Sequence, residues 1–246
     1  MKTESVTIWL VVVTLFLCPC PASGTIYFND GLTHDINYEI NDDVIVDYQA
    51  PTMQTTVNLL DGGMIDGCLA GLGKSHITVS GGTITWFLGA TDNALVTMTG
   101  GVVEQDLYTW LYSKAIVTGG RIDGEIYCKD DSQVTISGGL TDMIFIGQID
   151  TNILISHALF ITMGTNFFIN GQDADYGYIS WDNLPAYTDW RGKTYHGGQL
   201  TGTLSNGDFI NANILIYGEE AKLLLIPEPA TILLFGVGAV ILRRKQ

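Results

Sequence analysis

Glycine pairs recur at Gly62-Gly63, Gly81-Gly82, Gly100-Gly101, Gly119-Gly120 and Gly138-Gly139, a strict 19-residue period. A period held without slippage marks a repeat architecture. Each unit is too small to bury its own apolar face and gains stability by stacking on its neighbours. A further, degenerate copy is expected with His157-Ala158 in place of the pair.

Aligned on the pairs, the repeats form columns. Two residues before each pair come Leu60, Val79, Met98, Val117, Ile136 and Ile155. Four before it, after Asn58, come Ile77, Val96, Ala115, Val134 and Ile153. Three after the first glycine come Ile65, Ile84, Val103, Ile122, Thr141 and Phe160. Seven after it come Leu69, Leu88, Leu107, Ile126 and Phe145. Apolar residues alternating at period two on both sides of a glycine pair predict short strands joined by sharp bends. A second bend falls near Ser75, Ala94, Ser113, Ser132 and Thr151. One such repeat, fully extended, spans roughly 63 Å, which suits one turn of a narrow coil stacked about 4.8 Å from the next. The expected fold is therefore all-β: a single-stranded parallel β-helix, or β-solenoid, over residues 57–170. An antiparallel sheet of hairpins with a glycine pair at every second turn also fits the period.

Residues 24–56 and 171–226 are expected to form cap regions at the two ends of the coil. The second holds an aromatic and acidic stretch that includes Tyr176, Tyr178, Trp181, Asp182, Tyr187 and Trp190, which reads as a cap or as a sugar-binding surface. It continues with two strands around Asn206-Gly207-Asp208, a tight-turn sequence, and one more strand over 221–226.

Both ends of the chain read as processing segments. Lys2, the apolar run from Val6 to Leu17 and the small-residue stretch Pro21-Ala22-Ser23-Gly24 have the layout of a signal peptide over residues 1–23. At the other end, Pro227-Glu228-Pro229 precedes an uncharged run, Ala230 to Leu242, and then Arg243-Arg244-Lys245-Gln246. As a helix that run covers about 20 Å, a marginal span for a hydrocarbon core of about 30 Å. The basic end would stay on the cytoplasmic side.

Proline–glutamate–proline, a short apolar helix and an arginine-rich end resemble the PEP-CTERM sorting domain of Gram-negative bacteria. The resemblance is confined to Pro227–Gln246. It implies that Pro227, Glu228, Pro229, Arg243 and Arg244 form a sorting signal read by an exosortase-type processing enzyme. It implies export through the inner membrane, a precursor anchored by its C-terminal tail, and delivery to a cell surface or matrix associated with exopolysaccharide and biofilm. It says nothing of the domain that the tail carries.

Composition narrows that domain's partners. With 26 acidic against 11 basic residues the formal charge is −15, which argues against nucleic acid and against docking on anionic lipid headgroups. Cys18 and Cys20 fall in the signal segment. Cys68 and Cys128 lie three coils apart, roughly 14 Å, whereas a disulfide needs Cα atoms within about 7 Å. Two free or buried thiols are expected.

No catalytic constellation stands out. The histidines are scattered, and no nucleophile motif or phosphate loop is present. Asp66, Thr85, Glu104, Asp123 and Asp142 share a column. It reads as a solvated acidic face or, through stacked like charges, as a Ca2+ site. Parallel β-helices can host polysaccharide lyases and glycosidases, and Arg121, Asp123 and Glu125 lie close in sequence, but the loops are too short to wall a groove. The expected role is thus structural or adhesive and not enzymatic, with glycan binding around Trp181 and Trp190 as the alternative.

Overall fold

The computed structural model describes residues 24–48, 53–147, 157–179, 181–188 and 192–228. The alternation seen in the repeats becomes a coil with three sides. The first coil is β1 (Thr25–Phe28), β2 (Thr33–Ile36) and β3 (Glu39–Ile40). Next come β4 (Asp43–Val46), β5 (Thr56–Leu59) and β6 (Met64–Ile65), then β7 (Leu69–Gly71), β8 (His76–Val79) and β9 (Thr83–Ile84). The coil of β10 (Leu88–Ala90), β11 (Leu95–Met98) and β12 (Val102–Val103) leads to β13 (Leu107–Thr109). From there two sides merge into longer strands: β14 (Lys114–Ile122), β15 (Glu125–Cys128), β16 (Gln133–Leu140), β17 (Met143–Gly147) and β18 (Leu159–Ile169).

Each strand pairs in parallel with its counterpart in the neighbouring coil. Ile77 lies beside Val96, Val96 beside Ala115 and Ala115 beside Val134, each step one full repeat. The architecture is all-β, dominated by parallel pairing and β-solenoid-like. The hairpin alternative does not describe the repeats, whose strands run the same way.

The predicted columns become the inner wall except in the first repeat, where Val57 and Leu59, paired with Ile77 and Val79, are buried in place of Asn58 and Leu60. Ile77/Val79, Val96/Met98, Ala115/Val117 and Val134/Ile136 line one side. Ile65, Ile84, Val103 and Ile122 line the second, and Leu69, Leu88, Leu107 and Ile126 the third; all are buried. The serine column at the second bend also points inward. Ser113 Oγ accepts the Trp110 N–H at 3.1 Å and donates to Ala90 O at 3.0 Å, and Ser132 repeats this with the Lys129 N–H and Thr109 O. At Ser113 and Ser132 the hydroxyl adds side-chain bonds to backbone groups already paired between the coils, whereas the buried Ser75 hydroxyl has no hydrogen-bond partner. The glycine pairs are required because the coils touch there. A Cβ on Gly100 would lie 2.4 Å from Ser80 O. One on Gly101, at φ +78°, would lie 2.6 Å from Gly81 O. Cys68 and Cys128 are buried and no disulfide joins them.

Three further sequence expectations change. Residues 24–48 and the start of β5 belong to the coil itself: Val44 pairs with Leu69 and Thr33 with Thr56, at longer spacings than the glycine pairs announce. Phe145 is not in the inner column. Ile126 pairs with Ile144, so a residue is missing from this coil and Phe145 turns outward beside Tyr127. The sixth copy is displaced too. Phe160 pairs with Val134, a step well beyond one repeat, so His157-Ala158 does not take the place of a glycine pair.

The C-terminal end is closed by a change of strand direction. β23 (Phe209–Tyr217) and β24 (Lys222–Pro227) join β17 and β18 in parallel. β22 (Thr194–Leu204) then runs antiparallel to β23. The short strands β19 (Gln172–Asp173), β20 (Gly177–Ile179) and β21 (Ala186–Thr188) pair antiparallel with β18, β24 and β22. Such a turn covers an edge that parallel coils would leave open to further pairing. The predicted hairpin tip docks onto the glycine corner. Asn206 N–H donates to Ser137 O at 3.0 Å, and Gly139 N–H to the Asp208 carboxylate at 2.7 Å.

Candidate functional site

The acidic column is solvent-facing, and its members bond locally. Thr85 Oγ1 donates to Asp66 Oδ1 at 2.9 Å, and Arg121 Nε lies 3.1 Å from Asp123 Oδ1. Asp66, Glu104, Asp123 and Asp142 are exposed. Among the described residues no three His, Cys, Asp or Glu side chains gather as a metal-holding group.

A different outer face carries the densest chemistry. Tyr108 on β13, Tyr127 on β15 and Phe145 on β17 stand in adjacent coils because the pairing places Tyr108 beside Tyr127 and Tyr127 beside Phe145. Their rings stack at 4.6 and 4.8 Å within 8° of parallel, close to the spacing of the strands themselves. Trp110 stacks on Tyr108 at 4.9 Å, and the Lys129 ammonium lies 4.8 Å from the Tyr127 ring centroid. Farther along come Tyr217, Tyr195 and Tyr187, with centroids 5.2 and 5.5 Å apart.

Tyr108 and Tyr127 each also donate to a carboxylate two residues earlier in the chain. Tyr108 Oη donates to Asp106 at 2.8 Å, and Tyr127 Oη to Glu125. Asp106 in turn accepts the Glu125 N–H at 2.8 Å. Burial first, and then the Glu125 carboxylate, push the Tyr127 phenol well above its ordinary range, so it holds its proton at neutral pH. Ring faces are turned to other rings, and both phenol protons are committed to carboxylates. This is the arrangement of a spine that ties coil to coil. The one-repeat spacing of Tyr108 and Tyr127 is the sequence signal for this face, and it lies outside the apolar columns.

Trp181 lies in a single 3-10 turn, Trp181–Asn183, with its ring 4.1 Å from that of His196. It lines a surface recess of about 260 Å³ with Tyr178, Asp182, Glu219 and Lys222. Lys222 Nζ sits 5.9 Å from the Tyr178 ring centroid and 3.9 Å from Glu220. Here aromatic surface and both signs of charge meet in a concavity, a combination suited to hydroxyl-rich ligands. Trp190, the other aromatic candidate, lies outside the described residues.

Of the residues expected to form the sorting signal, Pro227 is the last residue of β24 and Glu228 follows it. Pro229, Arg243, Arg244 and residues 1–23, read from sequence as a signal peptide, lie outside the described residues. Among those described, no helix is long and apolar enough to cross a membrane. No protein-family model, no curated protein and no solved structure matches this chain.

Proposed function

We propose that this chain is an exported structural or adhesive protein. In this reading a single-stranded parallel β-helix with 19-residue coils leaves the cell through its N-terminal signal. An exosortase-type enzyme processes its tail, and the coil stands at the cell surface or in an exopolysaccharide matrix. One observation carries the reading. The richest cluster of reactive side chains, from Asp106 to Lys129, is bonded within itself: tyrosine to carboxylate and ring to ring. A site of turnover needs donors and acceptors aimed at a substrate, and this face supports rigidity instead.

The test is expression of the full chain in a Gram-negative cell with and without an exosortase-type enzyme. The expected surface form lacks the residues after the Pro-Glu-Pro motif, and Glu228→Ala leaves the precursor in the membrane. A surface form with the intact tail would overturn the sorting reading.

The recess at Trp181 favours a second reading, glycan binding without turnover. Retention of the released protein on a polysaccharide column, lost in Trp181→Ala, supports it. Depolymerisation of the polysaccharide would favour an enzyme over both readings.

A further inference from the structure

The register of the first coil runs Thr25 beside Asp43 and Ile26 beside Val44, so Gly24 falls beside Asp42. The contact is close: a Cβ built on Gly24 would lie 3.1 Å from Asp42 Oδ1 and 3.7 Å from Oδ2. That Oδ1 is buried and has no hydrogen-bond partner. A buried carboxylate oxygen without a donor is costly, and a cation is its usual remedy. The sequence offers none nearby. From Gly24 to Gly73 there is no lysine or arginine, while Asp30, Asp35, Glu39, Asp42, Asp43, Asp47, Asp61 and Asp66 all carry acid. The one histidine in that stretch, His34, is engaged with Asp30 at 2.9 Å. As an amide, Gly24 has a single N–H in a fixed direction, and it makes no bond to this oxygen. An ammonium would have three, free to turn about the N–Cα bond.

We infer that the chain is cut between Ser23 and Gly24 and that the α-ammonium so created is the partner of Asp42. The inference rests on the export reading of residues 1–23. In the step, a signal peptidase directs water onto the Ser23 carbonyl carbon and the C–N bond to Gly24 breaks. The carboxylate stays on Ser23. The amine leaves on Gly24 and takes up a proton. Processing then supplies the first coil with the positive charge that its sequence lacks, and locks the leading strand β1 against the bend before β4. The carboxylate of Asp43, next along, is already taken by the Cys68 N–H at 2.8 Å, so Asp42 is the acceptor left over.

The experiment begins with the intact mass and N-terminal sequence of the full chain recovered from outside the cytoplasm. The expected N-terminus is Gly24. A chain that keeps Met1 and stays in the cytoplasm would sink the export reading. A processed chain that begins at any other residue sinks this inference alone. The second arm is acylation of the α-amine at neutral pH, followed by peptide mass. An ammonium held by a carboxylate gives up its proton reluctantly, so its acylation should be several-fold slower in the folded protein than in urea. Asp42→Asn should restore most of the rate. Equal rates in folded and unfolded wild type overturn the pairing, and this comparison stands even where Asp42→Asn fails to fold.

Discussion

Tyr127 stacks on Phe145 at 4.8 Å although the step between them falls one position short of the repeat kept from Leu69 to Ile126. The missing residue turns Phe145 outward, and the ladder gains a ring where the core keeps Ile144. The Tyr127 phenol, half-buried between rings and donating to Glu125, is held protonated above the ordinary tyrosine range. Its folded value is raised over the unfolded value of about 10, so the folded state holds this proton more tightly. Its stabilisation is full below about pH 10 and is lost as pH rises beyond it. Ultraviolet titration of the native protein should leave at least one tyrosine un-ionised after the others have titrated. Tyr127→Phe should abolish that fraction and cost about 1 kcal/mol near pH 7. A native titration matching that of the unfolded chain would refute it.

The glycine pairs invite a comparison of two left-handed positions. Gly101, at φ +78°, faces Gly81 O at 2.6 Å, whereas Gly171, at φ +77°, has nothing within 4 Å of its missing Cβ. Gly171→Ala should cost about 1 kcal/mol, the conformational penalty alone. Gly101→Ala adds a collision with the backbone of the preceding coil and should cost about 3 kcal/mol or more. Urea unfolding of both variants checks this, and equal losses would mean that the coils are not in contact at the glycine corner.

The hairpin tip makes a related prediction at the other end. The Asp208 carboxylate accepts the Gly139 N–H at 2.7 Å, from a distant part of the chain, and a bond from Asn206. Asp208→Ala leaves that N–H without its carboxylate and should cost about 1–3 kcal/mol. Loosening should begin at the C-terminal end, so hydrogen exchange in β22 and β23 should rise before exchange in β8 and β11. A uniform rise would argue against the tip as a clasp.

How much of this could be read from the chain follows from what each signal repeats. Ile77, Val96 and Val134 were legible as inner residues because the two-residue alternation within a strand and the repeat between strands agree at them. Asn206-Gly207-Asp208 was legible because its turn chemistry is local. Phe145 and Phe160 were misplaced because an aromatic residue suits either face of a strand. Nothing in sequence marks the one-residue loss before Met143, or the lengthened connection before Leu159. The leading coils escaped notice because the step from Thr25 to Asp43 is shorter than one repeat and the step from Val44 to Leu69 is longer, with no glycine pair to set a count. The recess at Trp181 depends on strands that reverse direction, which columns in a repeat do not report.

A last prediction concerns the corner opposite the glycine pairs. The turns closed by Ser75, Ala94, Ser113 and Ser132 each hold a left-handed residue, namely Gly73, Asp92, Leu111 and Asp130. Glycine takes that conformation freely and aspartate tolerates it. Leucine does not, since its Cβ crowds the next carbonyl at a cost of about 1–2 kcal/mol. Leu111 nonetheless sits at φ 55°, tied by its N–H to the Asp130 carboxylate at 3.3 Å. Leu111→Gly keeps that N–H and removes the strain, while adding roughly 0.5–1 kcal/mol of chain entropy to the unfolded state. The balance favours the variant by about 0.5–1 kcal/mol, read as a rise in Tm of about 1–4 °C. A fall in Tm would show that the Leu111 side chain contributes more through its packing than its backbone loses at the turn.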